Sequence, residues 1–273
     1  MAPVRSRPDE RVFVEEIQLK FDLLPQIERI ARQAGDLILQ VYAASFEVRD
    51  KADASPVTEA DERAEALIVA ALQALTPDVP VVAEEAAARG DSPKPGDRFW
   101  LVDPLDGTRE FVSRNGEFTV NIALIEAGQP VLGVVLEPVA RRLYAGVVGQ
   151  GAWVQDATGR RAMACRPVPP AAEPGWVMAC SRSHGDEAAL NRWLAGRPVA
   201  QRLAVGSSLK FGLIANGQAD VYPRLGRTME WDTAAGHAVL LAAGGSVTDL
   251  QGQALHYGKP GFENPHFVAW GQR

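Results

Sequence analysis

The run Phe99-Trp100-Leu101-Val102 is wholly apolar, and it stops on Asp103-Pro104-Leu105-Asp106-Gly107-Thr108. Bulky residues of this kind, bounded by Pro and Gly, predict a buried strand feeding a tight turn. A strand end throws its side chains into a crevice, and the turn leaves backbone groups unpaired. Two carboxylates three residues apart can then converge with a free carbonyl on one point. At an effective dielectric of about 20, two unit charges about 4 Å apart repel by roughly 4 kcal/mol. A cation belongs there, and all-oxygen donors select a hard divalent ion such as Mg²⁺.

The flanking sequence predicts what carries this turn. Apolar residues recur at helical spacing from Leu24 to Tyr42, and a second helix is predicted to begin after Thr58 and run to about Leu75. Val79 to Ala83 reads as a short buried strand closed by Glu84-Glu85, and Ala86 to Asp97 as a mobile surface loop. Phe118–Glu126, Val131–Glu137 and Leu143–Val148, separated by turn residues, predict an antiparallel meander. The Pro-rich stretch Arg166 to Pro174 is the expected boundary. Beyond it, strand and helix patterns alternate over 176–179, 186–194, 208–215, 220–222, 233–243 and 246–249. The expected fold is a layered α/β (α+β) arrangement: an N-terminal extension over 1–23, an α+β half over 24–165, and a smaller α/β half over 166–273.

Acids stand at element boundaries in four places: Asp61, Glu84-Glu85, Asp103 with Asp106, and Asp232. Each alone has a plain explanation, as helix-dipole partner, turn residue or solvated surface. Together they suit two cations bridged by shared carboxylates, an arrangement that stabilises attacking and leaving oxygens in phosphoryl hydrolysis. Thr108 then has a use: its hydroxyl can orient a water if an acid such as Asp61 accepts its proton. Gly107 lets backbone N–H groups approach a phosphate oxygen.

Composition closes off other classes. The net charge is −6, with no basic run to grip a nucleic-acid backbone, so polymeric DNA or RNA is not an expected partner. Cys165 and Cys180 are too few for a disulfide framework or a zinc site. No apolar segment reaches the length of a membrane span, and the first 25 residues lack the apolar core of a signal peptide. A cytoplasmic location is expected, with peripheral attachment to the inner face of the cell membrane left open.

In chain order, Ser55-Pro56-Val57-Thr58-x-x-Asp61, Glu84-Glu85, Asp103-Pro104-Leu105-Asp106-Gly107-Thr108 and Trp231-Asp232-Thr233-Ala234-Ala235-Gly236 resemble the signatures of the lithium-sensitive inositol monophosphatase superfamily. The resemblance runs from about Leu24 to near the C-terminus. Within that superfamily the chain is similar to the CysQ-type 3′(2′),5′-bisphosphate nucleotidases. That likeness is carried by Arg109-Glu110-Phe111, Arg114 to Leu124, Ser181-Arg182-Ser183-His184 and Gly206 to Phe211. Ala83 stands where these nucleotidases often have Ser, Arg109 replaces a common Lys, and Glu230 precedes Trp231 where a neutral residue is usual. Glu230 is expected either to adjust the affinity of the second metal or to face solvent.

The resemblance implies an αβαβα sandwich of the inositol monophosphatase/fructose-1,6-bisphosphatase type, two or three Mg²⁺ ions, and inhibition by lithium. Glu84, Asp103 and the Leu105 carbonyl would hold one ion, and Asp103, Asp106 and Asp232 the second. Thr108, paired with Asp61 and assisted by Glu84, would position the attacking water. Gly107 would stand with these ligands against the substrate phosphate. His184, Ser207, Lys210 and Arg224 would contact the nucleotide or its remote phosphate. The implied reaction removes the 3′-phosphate of adenosine 3′,5′-bisphosphate, with the sulfated analogue as a second substrate, in a monomer or homodimer. Phe118-Thr119-Val120-Asn121 and Ser207-Ser208-Leu209-Lys210 favour the nucleotide over inositol phosphates. The rivals are another small-molecule phosphatase of this superfamily and a non-catalytic metal-binding protein. Cys180 reads as a packed small residue, His237 as structural, and the tryptophans as core, with Trp231 also a wall of the site.

Overall fold

The computed structural model describes residues 10–50, 56–172, 174–182 and 187–273. A long helix α1 (Glu10–Ala43) leads to the paired short strands β1 (Arg49–Asp50) and β2 (Pro56–Val57), then α2 (Glu59–Leu75), β3 (Val81–Ala83) and α3 (Glu84–Arg89). The strand β4 (Arg98–Asp106) precedes the short helix α4 (Thr108–Val112). A meander follows: β5 (Thr119–Glu126), β6 (Gln129–Glu137), β7 (Arg142–Val147), β8 (Gly151–Asp156) and β9 (Gly159–Met163). The remainder comprises β10 (Trp176–Ser181), α5 (Glu187–Leu194), β11 (Val199–Val205), α6 (Leu209–Ala215), β12 (Val221–Arg224), α7 (Ala234–Ala242), β13 (Ser246–Asp249) and β14 (Phe267–Trp270).

Strands β3 to β9 form a seven-stranded sheet in sequence order, parallel only between β3 and β4. A five-stranded sheet has the order β11-β10-β12-β14-β13. The apolar stripe of α1, including Ile27, Ala31, Ala34 and Ile38, shares one core with α2 and one face of the large sheet. The other face meets α6 and α7, which also pack on the small sheet through Phe211, Val239 and Tyr222. Residues Leu190, Trp193 and Leu194 of α5 cover the small sheet's far side against Trp176 and Trp270. The layers therefore run helix, sheet, helix, sheet, helix, as the sequence resemblance implies. Close packing depends on missing side chains: a Cβ at Gly133 of β6 would lie 2.3 Å from the Ala235 carbonyl oxygen.

Several boundaries differ from expectation. Helix α1 begins at Glu10 rather than Leu24. Pro25 suits a first helical turn, but here the helix runs through it. Glu84 and Glu85 open α3 instead of closing a strand, and the loop expected from Ala86 starts only after Gly90. The sequence Glu-Glu-Ala-Ala-Ala-Arg combines strong helix formers with acids in the first turn, and Gly90 caps it at φ 83°. Strand β4 extends past Val102 through Asp106, and strands β8, β9, β11 and β14 lie outside the patterns read from sequence.

The extension of β4 matters for function. Asp103 pairs with Asn121 and Asp106 with Thr119, so three steps on β4 match two on β5. In a regular strand, residues three apart point to opposite faces. The extra residue at Pro104-Leu105 forms a bulge, and the two carboxylates lie within each other's field.

Candidate active site

The site begins at the N-terminus of α2. The backbone N–H of Thr58 donates to Asp61 Oδ2 at 2.8 Å, and the Thr58 hydroxyl donates to the same oxygen at 2.7 Å. The reciprocal arrangement is a capping box, which fixes the buried Asp61 as it starts the helix. Its other oxygen accepts a 3.1 Å hydrogen bond from the Thr108 hydroxyl at the start of α4. Thr108 also lies 3.4 Å from the Leu105 carbonyl, whose own N–H donates to Asp103 Oδ1 at 3.0 Å. Buried Glu65 of α2 accepts the Glu85 N–H at 2.7 Å, anchoring α3 and hence Glu84 beside the strand end.

Glu84, Asp103, Asp106 and Asp232 act on one another electrically. Burial, followed by the charges of Glu84, Asp106 and Asp232, raises the Asp103 carboxyl well above its ordinary range. Burial raises Asp106 to about 6 against the opposing pull of Lys210. Burial and the charges of Asp106 and Glu84 lift Asp232 well above its usual value, although the Met229 N–H donates to it at 2.9 Å. Among the described residues no three acidic, imidazole or thiol side chains close on one point at ion-binding spacing. The donor chemistry, buried oxygen anions that cannot all ionise together, nevertheless fits a hard divalent cation.

The small sheet brings the cations. Lys210 of α6 is buried, and burial lowers its ammonium to about 8 despite the favourable charge of Asp106. It donates to the carbonyls of Val205 and Ser207. Arg224, at the end of β12, donates to the Arg227 carbonyl at 3.1 Å. Ser207 has φ 47° and lies within 2.7 Å of the Asp106 carbonyl and 2.8 Å of the Glu117 carbonyl, so its hydroxyl is taken up by backbone. Facing it is Gly107, at φ 95°, where a Cβ would lie 2.2 Å from Ser207 Oγ. Glu117 ties this seam further: it binds Arg182 at 2.6 Å and accepts the Gly206 N–H at 2.8 Å.

A cavity of about 260 Å³ brings together Glu84, Asp106, Gly107, Thr108, Ser207, Lys210, Arg224 and Asp232. A second cleft of about 740 Å³ shares Glu84 and Asp232 and is walled by Met229, Trp231 and Phe262. Trp231 thus stands at the site's edge as well as in the core. The expected contact His184 lies outside the described residues. Glu230 follows neither expectation. It is fully buried, and its carboxylate accepts the N–H groups of Gly258 and Lys259 at 2.6 and 2.9 Å and the Lys259 ammonium at 2.7 Å. A carboxylate at that depth must be paired, and these donors turn it into the 258–259 loop. His237 is buried, its Nδ1 2.9 Å from the Tyr257 hydroxyl, and burial lowers it to about 3. Burial raises the Cys180 thiol, the opposite of activation. Sequence reasoning did not single out Glu110, Tyr222, Arg227 and Thr228, which also line the smaller cavity. Arg227 had a signal, a second Arg three residues beyond Arg224.

The inositol monophosphatase family model matches residues 22–270. The chain is 48% identical over 248 residues to the 3′(2′),5′-bisphosphate nucleotidase CysQ of Escherichia coli K12, covering 90% of this chain and 98% of that protein. It superposes on the crystal structure of CysQ from Bacteroides thetaiotaomicron with a TM-score of 0.73 at 36% identity, covering 91% and 96% of the two chains. An inositol monophosphatase from Zymomonas mobilis gives a TM-score of 0.75 at 27% identity, with 92% and 93% covered.

Proposed function

We propose that this chain, which belongs to the inositol monophosphatase family, is a Mg²⁺-dependent phosphatase that removes the 3′-phosphate of adenosine 3′,5′-bisphosphate. The observation that carries the reading is the Thr108–Asp61 hydrogen bond beside the four carboxylates. It joins the starts of two helices, α2 and α4, across 47 residues of chain. Neither a capping box nor a turn needs that contact. A hydroxyl whose proton is already directed to a buried carboxylate keeps its lone pairs for a water.

In this reading Glu84, Asp103 and the Leu105 carbonyl would hold one Mg²⁺, and Asp103, Asp106 and Asp232 would hold another. Such ions supply Lewis-acid polarisation of the phosphoryl group and neutralise its charge. Thr108 accepts a hydrogen bond from the attacking water, with Glu84 assisting. As the water oxygen bonds to phosphorus, its proton passes to Thr108 Oγ1 while the Thr108 proton passes to Asp61 Oδ1. The bond from phosphorus to the 3′ oxygen breaks in line, and that oxygen takes a proton from solvent, giving AMP and phosphate. Lys210, with three donors of which two meet carbonyls, and Arg224 attract the remote 5′-phosphate. A 5′-phosphosulfate presents similar oxygens there, so the sulfated nucleotide is the second substrate.

The test is phosphate release with Mg²⁺ from adenosine 3′,5′-bisphosphate and from inositol 1-phosphate, side by side. The nucleotide should be the better substrate by kcat/KM, and a clear preference for the inositol ester would overturn the substrate assignment. Glu84→Gln should lower kcat by about 10²-fold or more. Unaltered turnover in that variant would sink the mechanism.

A further inference from the structure

Thr119 and Asn121, which the sequence offers as marks of nucleotide specificity, line neither cleft. They are buried, at 0% and 1% exposure, on the strand that pairs with Asp103 and Asp106. Asn121 Oδ1 stands 2.7 Å from Ser208 Oγ. That oxygen is 2.9 Å from Thr119 Oγ1, which in turn is 3.5 Å from Asp106 Oδ2. Three side chains from two layers thus line up on one carboxylate. Ser208 reaches it a second time through its backbone N–H.

Counting protons decides the direction of this chain. Each hydroxyl donates once. With the Asn121 carbonyl facing Ser208, the serine proton is used on Asn121, and the single threonine proton serves either Ser208 or Asp106. One of the two Thr119 contacts then meets lone pair to lone pair. That arrangement also leaves Asn121 Nδ2 buried without an acceptor among the described residues. The two ends of the amide have the same shape, so its hydrogen bonds determine which way it points. Exchanging them removes the orphaned donor and reverses the Asn121–Ser208 bond, so the serine proton is free for Thr119 and the threonine proton for Asp106. An unfilled carbonyl remains, which is better tolerated when buried than an unfilled N–H.

We propose that Asn121, Ser208 and Thr119 form a one-way donor chain, Asn121 to Ser208 to Thr119 to Asp106, that positions the Asp106 carboxylate for Mg²⁺. These are positioning residues, and the inference rests on the reading of Asp106 as a metal ligand. Asp106 has two oxygens; a donor fixed on Oδ2 leaves Oδ1 to point into the cleft.

Neutron diffraction from deuterium-exchanged crystals of the full chain tests the direction. Deuterons should lie on Thr119 Oγ1 toward Asp106 and on Ser208 Oγ toward Thr119; a Ser208 deuteron aimed at Asn121 would overturn the proposal. Mg²⁺ titration by calorimetry tests the consequence. Thr119→Val should bind Mg²⁺ about tenfold more weakly, and Thr119→Ser should return affinity to within about twofold of the wild type. A folded Thr119→Val protein with unchanged Mg²⁺ affinity would refute the positioning role. A wild type that binds no Mg²⁺ would refute the metal-dependent reading and, with it, the positioning for Mg²⁺. The deuteron positions would still decide the direction of the chain.

Discussion

The two sheets arm one cleft in opposite ways. On the large sheet's side the groups are acids and hydroxyls, each fixed locally: Asp61 by a capping box, Asp103 by the Leu105 N–H, Glu84 through the anchoring of α3. On the small sheet's side stand Lys210 and Arg224, with Asp232 between the two sets. Lys210 is held by the carbonyls of Val205, at the end of β11, and of Ser207, in the turn that follows. In the proposed mechanism the first side carries the chemistry and the second the recognition. Substitutions on the first should lower kcat, and those on the second should raise KM.

The sharpest way to break that division is Thr108→Val, which keeps shape and removes the hydroxyl. It should lower kcat by about 10²- to 10⁴-fold and leave KM nearly constant, measured by steady-state phosphate release. A rise in KM alone would move Thr108 to the recognition side. Lys210→Met comes next. It should raise KM for adenosine 3′,5′-bisphosphate by about tenfold or more, with little change in kcat/KM for inositol 1-phosphate. Equal losses on both substrates would show that Lys210 serves the reacting phosphate instead.

The smallest expected effect lies in the helix layer between the sheets. The buried, lowered His237 binds a proton less readily folded than unfolded. The unfolded chain therefore holds more protons between about pH 6.5 and about 3, and stability falls as pH is lowered through that window, by about 1.4 kcal/mol per pH unit. Denaturant unfolding at pH 7 and 5 should show His237→Gln losing less stability than the wild type, its side chain still able to bond Tyr257. An identical pH response would place the titration elsewhere.

The same division governs what the sequence discloses. The large sheet's inner strands are buried on both faces, so Ile122 to Ile125 and Leu132 to Leu136 stand out as apolar runs. Its edge strand β9 carries exposed Arg160 and Arg161, and β11 of the small sheet exposes Gln201 and Arg202. Neither shows an alternation to read. The acidic cluster was legible because each acid sits at a local boundary signal. Contacts such as Ser207 to Asp106, 101 residues apart, leave no periodicity behind. The β4 bulge was hidden for another reason: Pro104 reads as the end of a strand that in fact continues to Asp106.

The seam between Ser207 and Gly107 carries a consequence for how activity comes into being. Its hydroxyl spans the backbone of Asp106 and of Glu117, and no larger residue fits opposite it. The serine's contacts therefore hold the acids of the large sheet's side next to the cations of the small sheet's side. Turnover is a report on assembly. A chain cut within the Pro-rich connection near 166–174 should hydrolyse substrate only while its two pieces remain docked, and dilution of the nicked protein would extinguish activity by mass action.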